Sequence, residues 1–363
     1  MFSFLVPHRR AVPATSVVVL SLLAMGCGGS SDKEIEIVAL VTGPDGSIAS
    51  LEERLAHLHR FERVDDLVAH ADFDGALVCL PNRESVPALR TLVGANKHVL
   101  MEKPIAACAG ALEWAVAEFR SRRLAFQCGY LWRYDDGANR LRAMVAEDRF
   151  TDLISIEMSW FTSDVQRRGA GHYLFDANVS GAGFFNWLGC HWLDLLMYVV
   201  PRPIVAVTAR VGQNGPTPVD VEDGGTVVLE LEGGPLVTFT GGYWLPRWTN
   251  EGGWSIRGSA RWVHWRPFVS GTSGVIEVHG PQPQFLAMDE TFTLAKDEVP
   301  GYGGSTSRRL VRDWLASAES GRPNPRNTIE SAVNTLRLID LVLESSRQGR
   351  RLECRVVPEE SLP

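Results

Sequence analysis

This sequence lacks closely paired cysteines, a net positive charge and apolar runs long enough to span a membrane. The six cysteines are scattered and no two form a Cys-x-x-Cys pair, which indicates reduced thiols and neither a disulfide framework nor a zinc site. A formal net charge of −7 argues against a nucleic-acid partner. The apolar run of residues 11–25 is shorter than the roughly 20 residues of a membrane-spanning helix. We therefore expect no metal centre and no nucleic-acid binding.

The remaining composition fits two globular domains. The chain has 363 residues, of which 45% are hydrophobic and 22% are charged, and this length is comfortable for two domains. From residue 35, continuous β-branched runs alternate with stretches of helical apolar spacing, as in a parallel sheet connected by helices. The predicted strands are 35–41, 73–80, 98–102 and 124–130, and the predicted helices are 47–58, 85–95 and 109–123. This α/β pattern predicts a doubly wound Rossmann domain over residues 1–128.

The second half, residues 129–363, has a different pattern. Alternating apolar and polar residues predict an antiparallel, open sheet with one covered face, followed by two amphipathic helices around the turn SGRPNP. The predicted strands are 153–161, 204–211, 225–232, 236–244, 254–265 and 274–280. Most of the eleven tryptophans lie here, which suits a broad cleft or a subunit interface. We expect a second α/β domain that binds substrate, and a homo-oligomer formed through its sheet.

Two motifs after neighbouring predicted strands resemble the Gfo/Idh/MocA oxidoreductases. These motifs are LPN at 80–82 and KHVLMEKP at 97–104, and the likeness continues to the C-terminus. The resemblance implies a nicotinamide cofactor, NADP or NAD, on the Rossmann domain and a sugar, cyclitol or related polyol on the second domain. The implied cofactor contacts in these motifs are Pro81, Asn82, Glu102, Lys103 and Pro104.

Lys103 is the implied catalytic and substrate-binding residue of the first domain. Pro104 fixes the backbone after it, in the family often through a cis bond, and so aims the ammonium group. The plain alternative is a solvated loop lysine, and Pro81 and Asn82 are also common strand-ending residues. At position 85 this chain has Ser85, where the family commonly has a histidine.

The segment SGAGFFNWLGCHWLDLL, residues 180–196, resembles the family motif GGGxxxDxGxHxxD. His191 falls on the catalytic histidine and Asp194 on the acid that follows it, for which we expect a structural role. The resemblance departs at Trp187, which stands where the family has an aspartate. The implied substrate contacts of this half are Arg133, Asn186, Trp187 and His191. The alternative for His191 is an ordinary core histidine on an apolar helix.

The glycines of the same segment, Gly181 and Gly183, predict a helix start that lies against substrate or cofactor. Arg167 and Arg168 are further candidates for binding substrate hydroxyls or a carboxylate. Thr42 follows the second strand, where NAD-specific domains usually place an acid for the ribose. A neutral hydroxyl there leaves room for a 2′-phosphate, so the sequence favours NADP slightly over NAD.

The N-terminus has three interpretations. A Rossmann domain needs a strand, a turn and a helix before residue 35, and the only segments available are 2–6, 7–15 and 16–25. This turn has no glycine, and Arg9 and Arg10 are then the candidates for pairing with phosphate. The alternative is a lipoprotein signal cleaved before Cys27, and a wrongly assigned start codon is a third possibility. The first interpretation predicts a cytoplasmic protein and the second an envelope lipoprotein.

These observations predict an oxidoreductase that transfers a hydride between NAD(P) and a sugar-like substrate. In the expected mechanism His191, supported by Lys103, removes a hydroxyl proton while the hydride passes to the cofactor. We expect both side chains to point into one cleft between the domains. The alternative function is a catalytically degenerate, sugar-binding relative without a working cofactor site, which the glycine-free turn and Trp187 favour.

Overall fold

The computed structural model describes residues 16–22, 35–42, 58–80, 82–247, 249–280, 288–296, 304–324 and 326–358. The chain forms two compact units. Unit 1 is Met1–Gly129 with Leu310–Ile329, and unit 2 is Tyr130–Arg309 with Glu330–Pro363. Residues 310–329 therefore cluster with unit 1, although the sequence analysis placed them in the second domain. Within the described ranges, no helix has the length and apolar character needed to span a bilayer.

Unit 1 contains a six-stranded sheet of order β3-β2-β1-β4-β5-β6. Its strands are β1 (Ser16–Leu22), β2 (Ile35–Thr42), β3 (His59–Phe61), β4 (Gly75–Cys79), β5 (His98–Met101) and β6 (Phe126–Cys128). Residues Val78, Val99 and Met101 are fully buried, which explains why the sequence there is continuously apolar. The β2–β3, β4–β5 and β5–β6 pairs are parallel, so the predicted doubly wound parallel sheet is confirmed for these strands.

The helix predicted over residues 16–25 is wrong, because residues 16–22 form the strand β1. This strand runs antiparallel to both neighbours: Ser16 pairs with Thr42 and with Cys79, and Leu22 pairs with Ile35. The run SVVV consists largely of β-branched residues, which pack well in strands, and antiparallel neighbours need no crossover helix between them. The predicted first strand at 2–6 and the turn at 7–15 lie outside the described residues.

In the described part of unit 1, three helices lie between the strands. They are α1 (Val64–His70), α2 (Asn82–Gly94) and α3 (Glu113–Arg122), with a 3-10 turn at Ala109–Ala111. Helices α2 and α3 agree with the predicted segments, whereas β3 and α1 were not predicted. Most of the helix predicted at 47–58 lies outside the described residues.

Residues 310–329 return to unit 1 and include most of helix α8 (Ser305–Ser320), which packs on the sheet. The Trp314 ring fills the space over Gly75, where a Cβ atom would lie 2.9 Å from the indole. Gln127 on β6 donates a 2.8 Å hydrogen bond to the carbonyl of Leu310, and Asn327 donates to the carbonyl of Cys128 at 2.7 Å. These bonds explain why residues distant in sequence belong to the first unit.

Unit 2 contains a nine-stranded sheet of order β14-β13-β12-β11-β7-β10-β9-β8-β15. The strands are β7 (Leu153–Thr162), β8 (Ile204–Gly212), β9 (Gly224–Leu231), β10 (Leu236–Gly242), β11 (Asn250–Gly258), β12 (Trp262–Arg266), β13 (Gly274–His279), β14 (Met288–Leu294) and β15 (Leu352–Val356). The β7–β10 pair is parallel and the other pairs are antiparallel. The prediction of a largely antiparallel sheet is therefore confirmed. The single strand predicted over 254–265 is two strands, β11 and β12. Burial alternates along β7, β9 and β13, so one face of the sheet is covered.

The helices of unit 2 include one that is buried on every side. They are α4 (Asp136–Ala146), α5 (Asp164–Arg168), α6 (Ala177–Ser180), α7 (Cys190–Val199) and α9 (Ile329–Gln348), with a π-helix at Phe185–Gly189 and 3-10 turns at Leu131–Tyr134 and Tyr173–Phe175. All ten residues of α7 are buried. A helix that is apolar all round belongs in a core, and this one carries His191 and Asp194 into the interior of unit 2.

Candidate active site

The carboxyl edge of the parallel strands in unit 1 carries the first candidate residues. Glu102, Lys103 and Pro104 directly follow β5, and ligands of doubly wound sheets bind at this edge. The backbone N–H of Glu102 donates to the carbonyl of Val78 at 2.8 Å, which extends the β4–β5 pairing to the first motif residue. The peptide bond between Lys103 and Pro104 is cis, as the resemblance implied.

Lys103 is buried, with 7% of its surface exposed. Lysine is rarely buried in proteins, so this placement argues against the solvated loop lysine. Beside it, the Glu102 carboxylate lies against the backbone of Gly129, where a Cβ atom would come within 2.7 Å of the Glu102 Oε2 atom. Glycine at position 129 therefore leaves room for the Glu102 side chain at the end of β6.

The motif after β4 contributes Asn82 and Ser85. Asn82 is the first residue of α2, and Pro81 lies outside the described residues. Ser85 is buried, and its hydroxyl donates a 2.9 Å hydrogen bond to the carbonyl of Leu80. The residue that replaces the family's histidine therefore stabilises the junction between β4 and α2.

The reversed first strand determines how well unit 1 fits a dinucleotide. In a Rossmann domain the first strand ends at the carboxyl edge, and the turn into the next helix binds the pyrophosphate. Here β1 begins at that edge, at Ser16 beside Thr42 and Cys79, and ends at the opposite edge beside Ile35. The resemblance to the family assigns the motifs after β4 and β5 to the nicotinamide half of the cofactor, and this assignment stays a prediction. Among residues 16–22 and 35–42 there is no turn at the carboxyl edge that fits its pyrophosphate.

The remaining predicted cofactor contacts of unit 1 have different outcomes. Thr42 is the last residue of β2, at the carboxyl edge as predicted. Arg9 and Arg10 lie outside the described residues, so their pairing with phosphate stays a prediction. The strand assignment of residues 16–22 removes the strand-turn-helix argument on which that prediction was based.

In unit 2, His191 lies in the second position of α7. It is 3% exposed, and its ring packs edge-on against Tyr130 at 6.2 Å and tilted against Trp160 at 5.9 Å, measured between ring centroids. These aromatic neighbours fix the plane of the imidazole ring. The imidazole is almost fully shielded from water, and the low local dielectric strengthens its electrostatic interactions.

Asp194, one turn further along α7, is part of a buried ion pair. Its carboxylate accepts two hydrogen bonds from the Arg133 guanidinium, at 2.9 and 2.7 Å, and one from the Thr335 hydroxyl at 3.2 Å. Burial raises the pKa of Asp194, and the bonds from Arg133 and Thr335 act in the opposite direction. The structural role expected for Asp194 agrees with this geometry. Arg133, predicted to bind substrate, is 3% exposed and directs its guanidinium to Asp194 instead.

The π-helix at Phe185–Gly189 holds the two other predicted substrate contacts. Asn186 is buried and Trp187 is half-buried, and the backbone N–H of Trp187 donates to the carbonyl of Gly183 at 3.0 Å. Single π-turns occur often at functional sites, because they rotate the side chains that follow. The π-turn lies directly before His191, in the segment that resembles the family motif.

Glu222, a half-buried acid that the sequence did not predict, contacts this segment. Its Oε2 atom accepts from the backbone N–H of Gly183 at 2.7 Å and its Oε1 atom from that of Phe185 at 3.1 Å. Burial raises the pKa of Glu222 to about 7, although these backbone hydrogen bonds oppose the shift. A Cβ atom at position 183 would lie 1.9 Å from the Glu222 carbonyl oxygen. Glycine is therefore required at position 183 because Glu222 lies so close to it. This corrects the prediction that the glycine lets the start of the helix lie against a ligand.

The arginine pair after β7 is also engaged within unit 2. Arg167 and Arg168 both contact the Asp164 carboxylate. Burial, with these two arginines, lowers the pKa of the nearby His172 to about 4. In the described parts of the chain, no group of three or more His, Cys, Asp or Glu side chains is arranged to hold a metal ion.

Comparison with protein families gives two matches. Residues 28–130 match a model described as an oxidoreductase family with an NAD-binding Rossmann fold, and residues 138–276 match the GFO/IDH/MocA C-terminal domain. The first match begins after β1, so the reversed strand lies outside it.

Curated relatives include two dehydrogenases that match part of the chain. Glucose-6-phosphate 3-dehydrogenase of Bacillus subtilis is 26% identical over 42% of this chain and 44% of its own length. Trans-1,2-dihydrobenzene-1,2-diol dehydrogenase of Bos taurus is 27% identical over 48% of this chain and 50% of its own. The chain thus spans about half the length of these two relatives.

Solved structures share the fold over most of the chain. A levoglucosan dehydrogenase in complex with NADH and levoglucosan has a TM-score of 0.74 at 15% identity, covering 85% of this chain and 87% of its own. An aldose-aldose oxidoreductase from Caulobacter crescentus, complexed with glycerol, has a TM-score of 0.73 at 20% identity, covering 88% and 92%. At these identities the likeness shows the fold.

Proposed function

Because the chain belongs to the Gfo/Idh/MocA oxidoreductase family, we propose that it transfers a hydride between NAD(P) and a sugar, cyclitol or related polyol. The observation that carries this proposal is the buried Lys103, which directly follows β5 at the ligand-binding edge. Burying a lysine costs free energy, and in an oxidoreductase fold that cost is explained by a role at the reacting group. The named dehydrogenase relatives support the substrate class.

The proposed mechanism divides the work between two side chains. When bound, the nicotinamide ring supplies the acceptor or donor of the hydride. His191 removes the hydroxyl proton of the substrate, and the Lys103 ammonium stabilises the oxygen as negative charge develops on it. The aromatic neighbours Tyr130 and Trp160 hold the imidazole ring in place, and the Arg133–Asp194 pair anchors the helix that carries it.

A panel of sugars, cyclitols and polyols tests the proposal. Purified full-length chain is incubated with each compound and NAD⁺ or NADP⁺, and the formation of reduced nicotinamide is followed by fluorescence. Turnover of at least one compound, lost in His191→Ala, supports the proposal. Absence of turnover in both redox directions with both cofactors contradicts it.

The cofactor preference, assembly and location are finer parts of this proposal. Thr42, which is not an acid, favours NADPH over NADH slightly, and we expect weak binding of both because β1 runs opposite to the first strand of a Rossmann domain. The uncovered face of the nine-stranded sheet supports assembly into a homo-oligomer, which light scattering tests.

We propose that the chain is located in the cytoplasm. Intact mass from the native host tests this, because a lipidated N-terminus at Cys27 would contradict it.

A second candidate function is a sugar-binding relative without catalysis. Two observations favour it: β1 is reversed, and Trp187 occupies the position of the family's aspartate. It predicts that sugars bind while neither NADH nor NADPH binds at about millimolar concentration. Titration followed by nicotinamide fluorescence distinguishes this candidate from the enzyme.

A further inference from the structure

Glu222 makes three hydrogen bonds to one short segment of unit 2. We call residues 183–185 the lead-in segment, because they begin the helical run that contains His191. Both Glu222 carboxylate oxygens accept from this segment, from Gly183 at 2.7 Å and from Phe185 at 3.1 Å. The Glu222 carbonyl accepts from the backbone N–H of Phe184 at 2.9 Å. Three consecutive N–H groups therefore bond to one residue.

The lead-in segment depends on this contact for its position. The short helix α6 ends at Ser180 and is capped by Gly181, whose φ of 74° is left-handed, so the chain changes direction just before the segment. Gly183 then approaches Glu222 so closely that any side chain at this position would collide with the Glu222 carbonyl. The Phe184 ring packs on the Tyr243 ring at 5.3 Å, which anchors the segment on its apolar side.

The orientation of the lead-in segment affects Asn186, Trp187 and His191, because these residues lie in the same helical run. The Gly183 carbonyl accepts from the N–H of Trp187, so the segment is the first turn of a helical run. This run continues through the π-helix Phe185–Gly189 into α7 without a break. A continuous helix transmits a rotation of its first turn to every side chain that it carries.

We infer that Glu222 is a positioning residue, which holds the lead-in segment and thereby sets the orientation of Asn186, Trp187 and His191. Its effect on catalysis rests on the proposed function, whereas its effect on the helical run does not. The family motif leads us to expect an acid at position 187. Glu222 brings a carboxylate to the same run from the segment that precedes β9.

The variant that tests this inference is Glu222→Gln. Both carboxylate oxygens accept from backbone N–H groups, so the amide NH₂ of glutamine faces a donor in either orientation and one hydrogen bond is lost. The matched control is Asp223→Asn, at the next residue. Asp223 is buried, and its carboxylate accepts from the backbone N–H groups of Asn214 and Gly215 and from the Trp244 indole, all outside the lead-in segment.

Two measurements on the full-length chain need no substrate. Hydrogen exchange with mass spectrometry reports the amides of residues 183–187, whose exchange we expect to become about tenfold faster or more in Glu222→Gln. NMR of ¹⁵N-histidine-labelled protein reports the imidazole of His191, assigned by its loss in His191→Gln. We expect these imidazole shifts to move in Glu222→Gln and to stay in Asp223→Asn.

A third measurement connects the inference to catalysis. On a substrate that the wild type turns over, Glu222→Gln should lower kcat by about tenfold to a hundredfold with a small change in KM, since a displaced catalytic group slows the chemical step. If Glu222→Gln does not fold, Glu222→Asp keeps the charge but is one methylene shorter. It should change exchange and imidazole shifts in the same direction by a smaller amount.

Three outcomes overturn the inference. Unchanged exchange at 183–187 in Glu222→Gln shows that the carboxylate does not hold the segment. Faster exchange with unmoved His191 imidazole shifts shows that the segment does not position the histidine. Equal changes in Asp223→Asn show a general loss of stability. A wild type that turns over no compound contradicts the proposed function, and the exchange and NMR results still decide this inference.

Discussion

The carboxyl edge of unit 1 and the His191 segment of unit 2 differ in what they require from the chain. The edge needs a first strand that runs in one particular direction, because the phosphate-binding turn must follow its carboxyl end. A sheet accepts a strand in either direction, since both antiparallel and parallel ladders satisfy the backbone. The reversal of β1 therefore preserves the sheet, and within residues 16–22 and 35–42 no strand has the direction and position of a Rossmann first strand.

The His191 segment is held by contacts from several separate parts of the chain. Arg133 and Thr335 bond to Asp194 on the same helix, and Glu222 bonds to the lead-in segment. Each contact restricts the same helical run, so its geometry does not depend on one preceding strand. The comparison teaches that the contacts that hold the His191 segment do not depend on the direction of β1.

The largest expected effect concerns the two proposed catalytic groups. His191→Ala and Lys103→Ala should each lower kcat by about 10² to 10⁴ while the protein stays folded, as is typical for groups that act on a proton or a developing charge. Steady-state kinetics on an identified substrate measures this. His279→Ala is the control, because this histidine on β13 stacks on Trp262 and should affect kcat little.

Normal turnover per folded molecule in His191→Ala would break the comparison, because the well-held segment would then have no catalytic role. In that case His191 is a core residue and its removal lowers only stability. The expected action of Lys103 and His191 on one substrate hydroxyl stays a prediction, since the two residues belong to different units.

The next effect concerns the stability of the His191 segment. Arg133→Ala leaves the buried Asp194 carboxylate without its ion-pair partner, and this should lower the free energy of unfolding by about 3 to 5 kcal/mol. The exposed Arg266–Glu277 pair is the control, and Arg266→Ala should cost about 1 kcal/mol or less. Urea titration measures both. Equal losses in the two variants would mean that the buried pair contributes no more than a surface pair.

Some parts of this structure follow from local sequence and others do not. The strands β4 and β5 were predicted because their apolar runs are continuous, and the motif after β5 identified the family. The predicted helix at 16–25 was wrong, because β1 is stabilised by pairing with β2 and β4, and local periodicity contains no information about such partners. Helix α1 and strand β3 are short and have no periodic pattern of sufficient length.

The buried polar contacts were the hardest to predict. Glu222 lies 39 residues from Gly183 in sequence, and Thr335 lies 141 residues from Asp194. An acid pair such as Glu222 and Asp223 before a strand is usually solvated, so its composition predicts a loop. The ion pair of Arg133 was not predicted for the same reason, because its partner Asp194 is 61 residues away.

A smaller effect concerns pH. Burial raises the pKa of Glu222 from 4.5 to about 7, so the folded state binds a proton that the unfolded state releases between these values. The resulting stability is fully present below about pH 4.5 and is lost as pH rises through about 7. This loss in the free energy of unfolding amounts to at most about 3 kcal/mol. Glu222→Gln should therefore show a flatter dependence of unfolding free energy on pH than the wild type.

Comparison of the two proteins isolates the effect of Glu222. Burial also raises the pKa of Asp135, to about 6, and this contribution is present in both proteins and cancels in the difference. Denaturant titrations at several pH values from about 4 to 8 give the two curves. Parallel curves would show that Glu222 keeps an ordinary pKa, and the carboxylate would then be less well desolvated than the structure indicates.

The comparison between the two regions is tested most directly by titrating the wild-type chain with NADH, NADPH and reduced nicotinamide mononucleotide. The nicotinamide half is common to all three ligands, and only the dinucleotides carry the second half that the phosphate-binding turn of a Rossmann domain would hold. The account predicts weak binding of all three, with NADPH slightly ahead of NADH and the mononucleotide within about tenfold of both, a difference of about 1.4 kcal/mol. Dinucleotide binding more than about a hundredfold tighter than that of the mononucleotide would contradict the account, because it requires an intact pyrophosphate site.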